Sequence, residues 1–162
     1  MIMKKASILI LIAAFLFPAY GSAATAPAKQ TPEVSGIDIN SPILQGKTLT
    51  AKKAAVLAAL TDIYTQLTKL SAQTQEATNQ LSSNGIATAE AQTALTASNA
   101  SLAKAKNDIA VFNAIIVSNT RFSSFTLDLM KNTANTAESS LSDARQHLLD
   151  SLTALKASVA NL

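Results

Sequence analysis

The sequence predicts an all-α protein, a long antiparallel helical hairpin extended to a three-helix bundle of the coiled-coil type. Two long runs of apolar residues flank Asn84-Gly85, and a third run follows them; all three advance by steps of three and four residues. That spacing is typical of helices packed along a narrow seam. We therefore expect residues 48–162 to form the bundle, with helices at about 50–83, 89–118 and 124–161.

Residues 1–24 have the three parts of a secretory signal peptide. Lys4 and Lys5 supply the positive beginning, and the apolar stretch 6–17 is shorter than the ~20 residues that span a bilayer. Small residues at 21–24 fit a cleavage site. We expect export to the periplasm or the exterior, with no stable transmembrane segment after cleavage. An uncleaved membrane anchor is the alternative.

Residues 25–47 read as a linker, because Pro and Gly interrupt any helical period. Its second half is more apolar than a spacer requires, with Val34, Ile37, Ile39, Ile43 and Leu44. Two interpretations follow. The segment is a strand or docking peptide that adds to a partner's sheet edge, or it lies against the side of its own bundle.

The first two helices are expected to meet at Gly85. Gly85 suits the positive φ that ends a helix, which places Ile86 against Leu81. Thr88 then offers a hydroxyl to cap the second helix, and Glu90 lies in its first turn. The seam residues of the first run are Val56, Leu60, Ile63, Leu67, Leu70, Thr74, Ala77 and Leu81; those of the second are Ala91, Leu95, Ser98, Leu102, Ala105, Ile109, Phe112 and Ile116.

The third run is less regular at both ends. Its beginning is either a turn capped by Ser123 or Ser124, or a bend in a longer helix. The run comprises Leu127, Met130, Ala134, Ala137, Leu141, Ala144 and Leu148, then is expected to shift by one residue near Leu152. Most of the core is expected from Leu60, Tyr64, Leu67, Ile109, Phe112, Phe122 and Phe125.

The turn region carries a resemblance. The string Gly85-Ile86-Ala87-Thr88-Ala89, followed by Ala91, Leu95, Leu102 and Asp108, resembles small exported bacterial helical-hairpin proteins of unknown function. The likeness covers roughly residues 60–116. It implies a signal peptide, a Pro-rich spacer and an Ala/Leu-rich hairpin, and it brings no activity or site residues.

Ionisable chemistry is sparse. The chain has one histidine and no cysteine. Asp143, His147 and Asp150 share helical spacing and could hold a cation or form a pH switch, but a solvated helical face is the simpler interpretation. Glu76 and Glu90 flank the turn at Gly85 and could approach each other, but we expect both to be exposed. We predict no catalytic, cofactor-binding or metal residues and no cofactor.

The partners expected from the sequence are proteins or envelope components. Loss of Lys4 and Lys5 with the leader lowers the formal charge from +3 to +1, without the basic stripe of a nucleic-acid binder. We predict an exported non-catalytic interaction or structural module of the cell envelope or exterior, with a homo-oligomer left open. A periplasmic holdase chaperone and a hydrolase of unknown substrate are the alternatives. Recognition is expected in the tail 34–44 or on the neutral helix faces.

Overall fold

The computed structural model describes residues 49–118 and 123–160. Three helices make up this part of the chain: α1 (Leu49–Ser83), α2 (Ala89–Ser118) and α3 (Ser124–Ala160). The described residues contain no strand, so the all-α prediction is confirmed for them. The predicted leader and linker, residues 1–47, and Phe122 lie outside these ranges.

The turn between α1 and α2 is a helix stop centred on Gly85. Gly85 has a φ of 78°, as predicted. Its amide donates to the Ser82 carbonyl at 2.9 Å, and the Ile86 amide donates to the Leu81 carbonyl at 3.1 Å. These two bonds satisfy carbonyls that a helix end leaves unpaired. Leu81 and Ile86 are both buried and belong to one apolar cluster with Leu155, so the turn is also fixed by packing.

The beginnings of α2 and α3 use different caps. The Thr88 carbonyl accepts the first bond of α2 from the Gln92 amide at 2.9 Å. Within residues 49–118 the Thr88 hydroxyl caps no amide, so the predicted side-chain cap is absent there. The Ser123 hydroxyl accepts from the Thr126 amide at 3.2 Å. Ser123 is therefore the cap of α3, which begins at Ser124.

The α2–α3 interface is built from small side chains that bring the two backbones together. The Ser98 hydroxyl donates to the Ala144 carbonyl at 2.9 Å, and the Ser151 hydroxyl donates to the Ala91 carbonyl at 2.9 Å. All four residues are at most 1% exposed. A serine side chain reaches the backbone of a facing helix only when the axes approach to the lower end of the ~8–10 Å range. The pattern also shows that α2 and α3 are antiparallel.

Larger side chains fill the space beside this column of small residues. Leu95 and Leu102 of α2 pack with Leu141 and Leu148 of α3, all at most 5% exposed. α1 joins the same cluster through further buried residues, Val56, Leu60 and Leu67. The three helices therefore share one main core, and most of the seam residues predicted from the sequence belong to it or pack against it. Near the end of α2 the buried residue is Ile115, whereas the predicted Ile116 is only partly buried.

Two side chains predicted for the core of α3 are exposed. Phe125 is 76% exposed and Leu127 is 38% exposed, whereas Thr126 and Met130 are buried. The cap at Ser123 fixes where the helix begins, and consecutive residues of a helix point about 100° apart. With Thr126 turned inward, its two neighbours necessarily point to either side. The prediction for these two residues is wrong because it followed side-chain size and ignored the cap.

The predicted shift near Leu152 is also wrong. The inward face of α3 continues from Leu148 through Ser151 to Leu155, with exposures of 1%, 0% and 4%. Leu152 lies beside this line and is only partly buried. Ser151 occupies the inward position because its hydroxyl is satisfied by the Ala91 carbonyl. Helical spacing of apolar residues alone misses Ser151, because its side chain is polar.

Candidate interaction groove

An open groove lies between α1 and α2, with a volume of about 290 Å³. Leu57, Thr61 and Tyr64 line it from α1, and the lining residues of α2 are Lys106, Ile109, Ala110 and Asn113. Leu57, Tyr64 and Ile109 are half-buried and pack against the main core, while the other lining residues are exposed. The groove therefore has an apolar floor, with one cation and neutral polar groups along its sides.

The groove forms because α1 is held less closely than α2 and α3 hold each other. Tyr64 and Ile109 were predicted as core residues, and the structure leaves both only half-buried. A tyrosine is too large for the close approach that serine and alanine permit between α2 and α3. The space left beside these two side chains is the groove.

Nearer the Gly85 turn, neutral polar side chains bridge the same two helices. The Ser71 hydroxyl donates to Asn99 Oδ1 at 2.6 Å. Gln75 Nε2 donates to Gln92 Oε1 at 3.1 Å. These hydrogen bonds join neutral side chains, so they position α1 on α2 without an ion pair. The α1–α2 side thus changes along its length from a hydrogen-bonded half to a grooved half.

The histidine cluster considered in the sequence is a solvated helical face. His147 Nδ1 lies 3.9 Å from Asp150 Oδ2, with the two side chains 40% and 52% exposed. Asp150 Oδ1 also accepts from Gln146 Nε2 at 2.9 Å. Asp143 is exposed and takes no part in this contact. An exposed pair at this separation contributes little to stability or binding.

The other carboxylates do not assemble into a site. Glu76 and Glu90 are both exposed, and Glu76 Oε1 accepts from Gln80 Nε2 of its own helix at 3.4 Å. Across residues 49–118 and 123–160, no group of three or more His, Asp or Glu side chains is arranged to hold a metal ion.

A carboxylate also takes part in a contact between helices that the sequence did not predict. The Ser140 hydroxyl lies 3.1 Å from Asp108 Oδ2 and 3.0 Å from the Thr136 carbonyl, and Ser140 is 1% exposed. Asp108 directly precedes the seam residue Ile109, and this position beside the seam is the feature of the sequence that could have indicated the contact. The contact joins α3 to α2 and leaves the carboxylate hydrogen-bonded, so we assign it a structural role.

A second apolar surface lies where α2 ends and α3 begins. Val117 is 73% exposed, Phe125 is 76% exposed and Leu129 is 42% exposed. We name these three residues the open-end patch. Single exposed apolar side chains are common on protein surfaces, but a group at one end of a bundle is typical of an interaction site.

No helix in the described ranges combines the length and the hydropathy that crossing a membrane requires. The groove and the open-end patch are the two accessible apolar surfaces described above.

Comparison of the chain with protein-family models, with curated proteins and with solved structures gives no match.

Proposed function

We propose that this chain is an exported, non-catalytic helical protein of the cell envelope or exterior, and that it binds a protein partner in the groove between α1 and α2. The observation that carries the proposal is the half-buried apolar floor formed by Leu57, Tyr64 and Ile109. Apolar surface that a bundle leaves accessible between two helices is suited to receive side chains from another molecule.

The form of the groove favours a peptide or helix over a small ligand. Its volume of about 290 Å³ is at the lower end of the range for small-molecule sites, and it is open to solvent. An amphipathic helix places apolar anchors at intervals of one turn, which matches a cleft that runs between two helices. Lys106 beside the floor favours a partner with a carboxylate or free carbonyl near its anchors.

Export and the absence of catalysis are proposed from the sequence. The positive beginning, short apolar stretch and small-residue exit of residues 1–24 support export. A single histidine and no cysteine support a role in binding over acid–base or thiol chemistry.

The groove can be tested by filling it. Ala110 is exposed and lines the groove, whereas Ala100 is exposed on the same helix outside it. The partner is first identified by cross-linking in the native envelope. We expect Ala110→Arg to weaken its binding by about tenfold or more, because the arginine prevents one apolar side chain of the partner from being buried. Ala100→Arg should bind like the wild type. Equal affinity of the two variants, measured by calorimetry with the purified partner, would place recognition elsewhere.

A periplasmic holdase is the second candidate, favoured by the open-end patch. Phe125 and Val117 expose apolar surface of the kind that unfolded clients bind. A holdase should suppress aggregation of a heat-denatured client, and Phe125→Ser should reduce that suppression. Groove variants should leave it unchanged, which separates this candidate from the first.

A further inference from the structure

The open-end patch lies at the end of the bundle where the described chain begins. The turn at Gly85 makes α1 and α2 antiparallel, so Leu49 of α1 lies at the same end as Ser118 of α2. α2 and α3 are antiparallel as well, which brings Ser124 to this end. Three helix termini and the patch thus share one end.

The α2–α3 register places two of the patch residues at one level along the bundle. Ser98 bonds Ala144 across the interface, and Val117 and Phe125 lie equally far from that pair on their own helices. Leu129 follows Phe125 by one helical turn on the same face of α3. Val117 and Phe125 therefore lie at the same level along the bundle, and Leu129 lies one turn farther from the open end.

We propose that this patch is the docking surface of the chain's own segment 34–44. The segment carries five large apolar residues, listed in sequence order as Val34, Ile37, Ile39, Ile43 and Leu44. Ile37 and Ile39 are two apart and so share one side of an extended chain. The segment supplies apolar side chains where the bundle leaves apolar surface open, and no charge lies between Ile39 and Leu44 to oppose burial.

The length of the connection keeps the last residues of the segment, Ile43 and Leu44, near this end. Residues 45–48 separate Leu44 from Leu49, and an extended chain spans at most ~3.3–3.6 Å per residue. Leu44 therefore lies within about 18 Å of the beginning of α1. A helix with its side chains is about 10–12 Å wide, so this reach covers the neighbouring termini of α2 and α3. It does not extend to the Gly85 turn, which is roughly 50 Å away along α1.

The inference goes beyond the groove proposal, because it concerns another surface and an intramolecular contact. It can be tested by disulfide trapping, since the chain has no cysteine of its own. The test chain carries Ser41→Cys in the segment and Ser124→Cys beside the patch. The control chain carries Ser41→Cys with Thr153→Cys, which is exposed on α3 and about 44 Å farther along it, beyond the ~29 Å that residues 41–49 can span.

A tether alone raises the collision rate, so a third chain separates docking from proximity. It carries the Ser41→Cys and Ser124→Cys pair together with Ile37→Asp, Ile39→Asp and Ile43→Asp, which keep the segment's length. We expect fast intramolecular disulfide formation in the test chain, about tenfold slower formation in the charged chain, and none in the control chain. Mass spectrometry and non-reducing electrophoresis report the products.

Each other result overturns the inference. Equal rates in the test and charged chains would show that the tether acts without docking. A disulfide-linked product of twice the chain mass would assign the patch to a second copy. Phe125→Ser in the test chain should slow trapping as the charged segment does, and an unchanged rate would exclude the patch as the docking surface.

Discussion

The two ends of the bundle differ in how far their large apolar side chains are buried. At the end closed by the Gly85 turn, Leu81 is 2%, Ile86 is 8% and Leu155 is 4% exposed. At the open end, Val117 and Phe125 are more than 70% exposed. The closed end is fixed by a short turn whose hydrogen bonds and apolar contacts reinforce each other. The closed end is therefore fixed by packing between the helices, whereas the open end leaves large apolar side chains accessible.

The largest effect is expected at the closed end. Leu81→Ala should lower the free energy of unfolding by about 2–4 kcal/mol, because it removes a fully packed side chain and leaves a cavity. Urea unfolding followed by circular dichroism measures the loss. Leu129→Ala at the open end is the matched control, and we expect a change within about 0.5 kcal/mol. Similar losses in the two variants would remove the difference between the ends.

The next largest loss of stability is expected from substitution of Gly85 in the turn. A Cβ added at Gly85 would meet no atom within 4 Å, so the cost of a substitution comes from its φ of 78°. Gly85→Val should lower the free energy of unfolding by about 1–2 kcal/mol. Asn adopts this conformation more easily, so Gly85→Asn should cost less. Equal unfolding midpoints for wild type and Gly85→Val would contradict this explanation of the turn.

A smaller effect is expected where serine joins two backbones. Ser151→Ala removes the bond to the Ala91 carbonyl and should cost about 0.5–1.5 kcal/mol. Ser142→Ala, at an exposed position of the same helix, should change the unfolding midpoint very little. A stabilised Ser151→Ala variant would show that close packing there does not need the hydroxyl.

The smallest effect concerns His147. His147→Ala breaks only the 3.9 Å contact with Asp150, so both the free energy of unfolding and partner affinity should remain at wild-type values. Affinity and urea unfolding at pH 5 and pH 8 provide the measurement. Loss of binding in this variant would restore the cluster of Asp143, His147 and Asp150 as a functional site.

Local signals explain what could be predicted from the sequence. The expected helix bounds differ by at most one residue from those of the structure, because Gly85 and Ser123 act through bonds to nearby backbone groups. The seams of α1 and α2 follow from helical spacing in the same way. These features need no knowledge of how the helices meet.

Features that depend on packing between helices could not be predicted. Ser151 is inward because a carbonyl of α2 faces it, and Phe125 is outward because Thr126 takes the inward direction. The groove beside Tyr64 depends on how far α1 stands from α2. Periodicity gives the face of a helix but not the distance or the atoms opposite it, so the candidate site was found only in the structure.

Unfolding of the chain after deletion of residues 25–44 tests most directly whether the bundle is stable by itself, without the segment that we propose to dock at its open end. We predict unchanged helix content by circular dichroism and a loss of at most about 2 kcal/mol in the free energy of unfolding, the size expected for a weakly docked segment. A loss above about 4 kcal/mol, or a chain without cooperative unfolding, would show that the segment is part of the core.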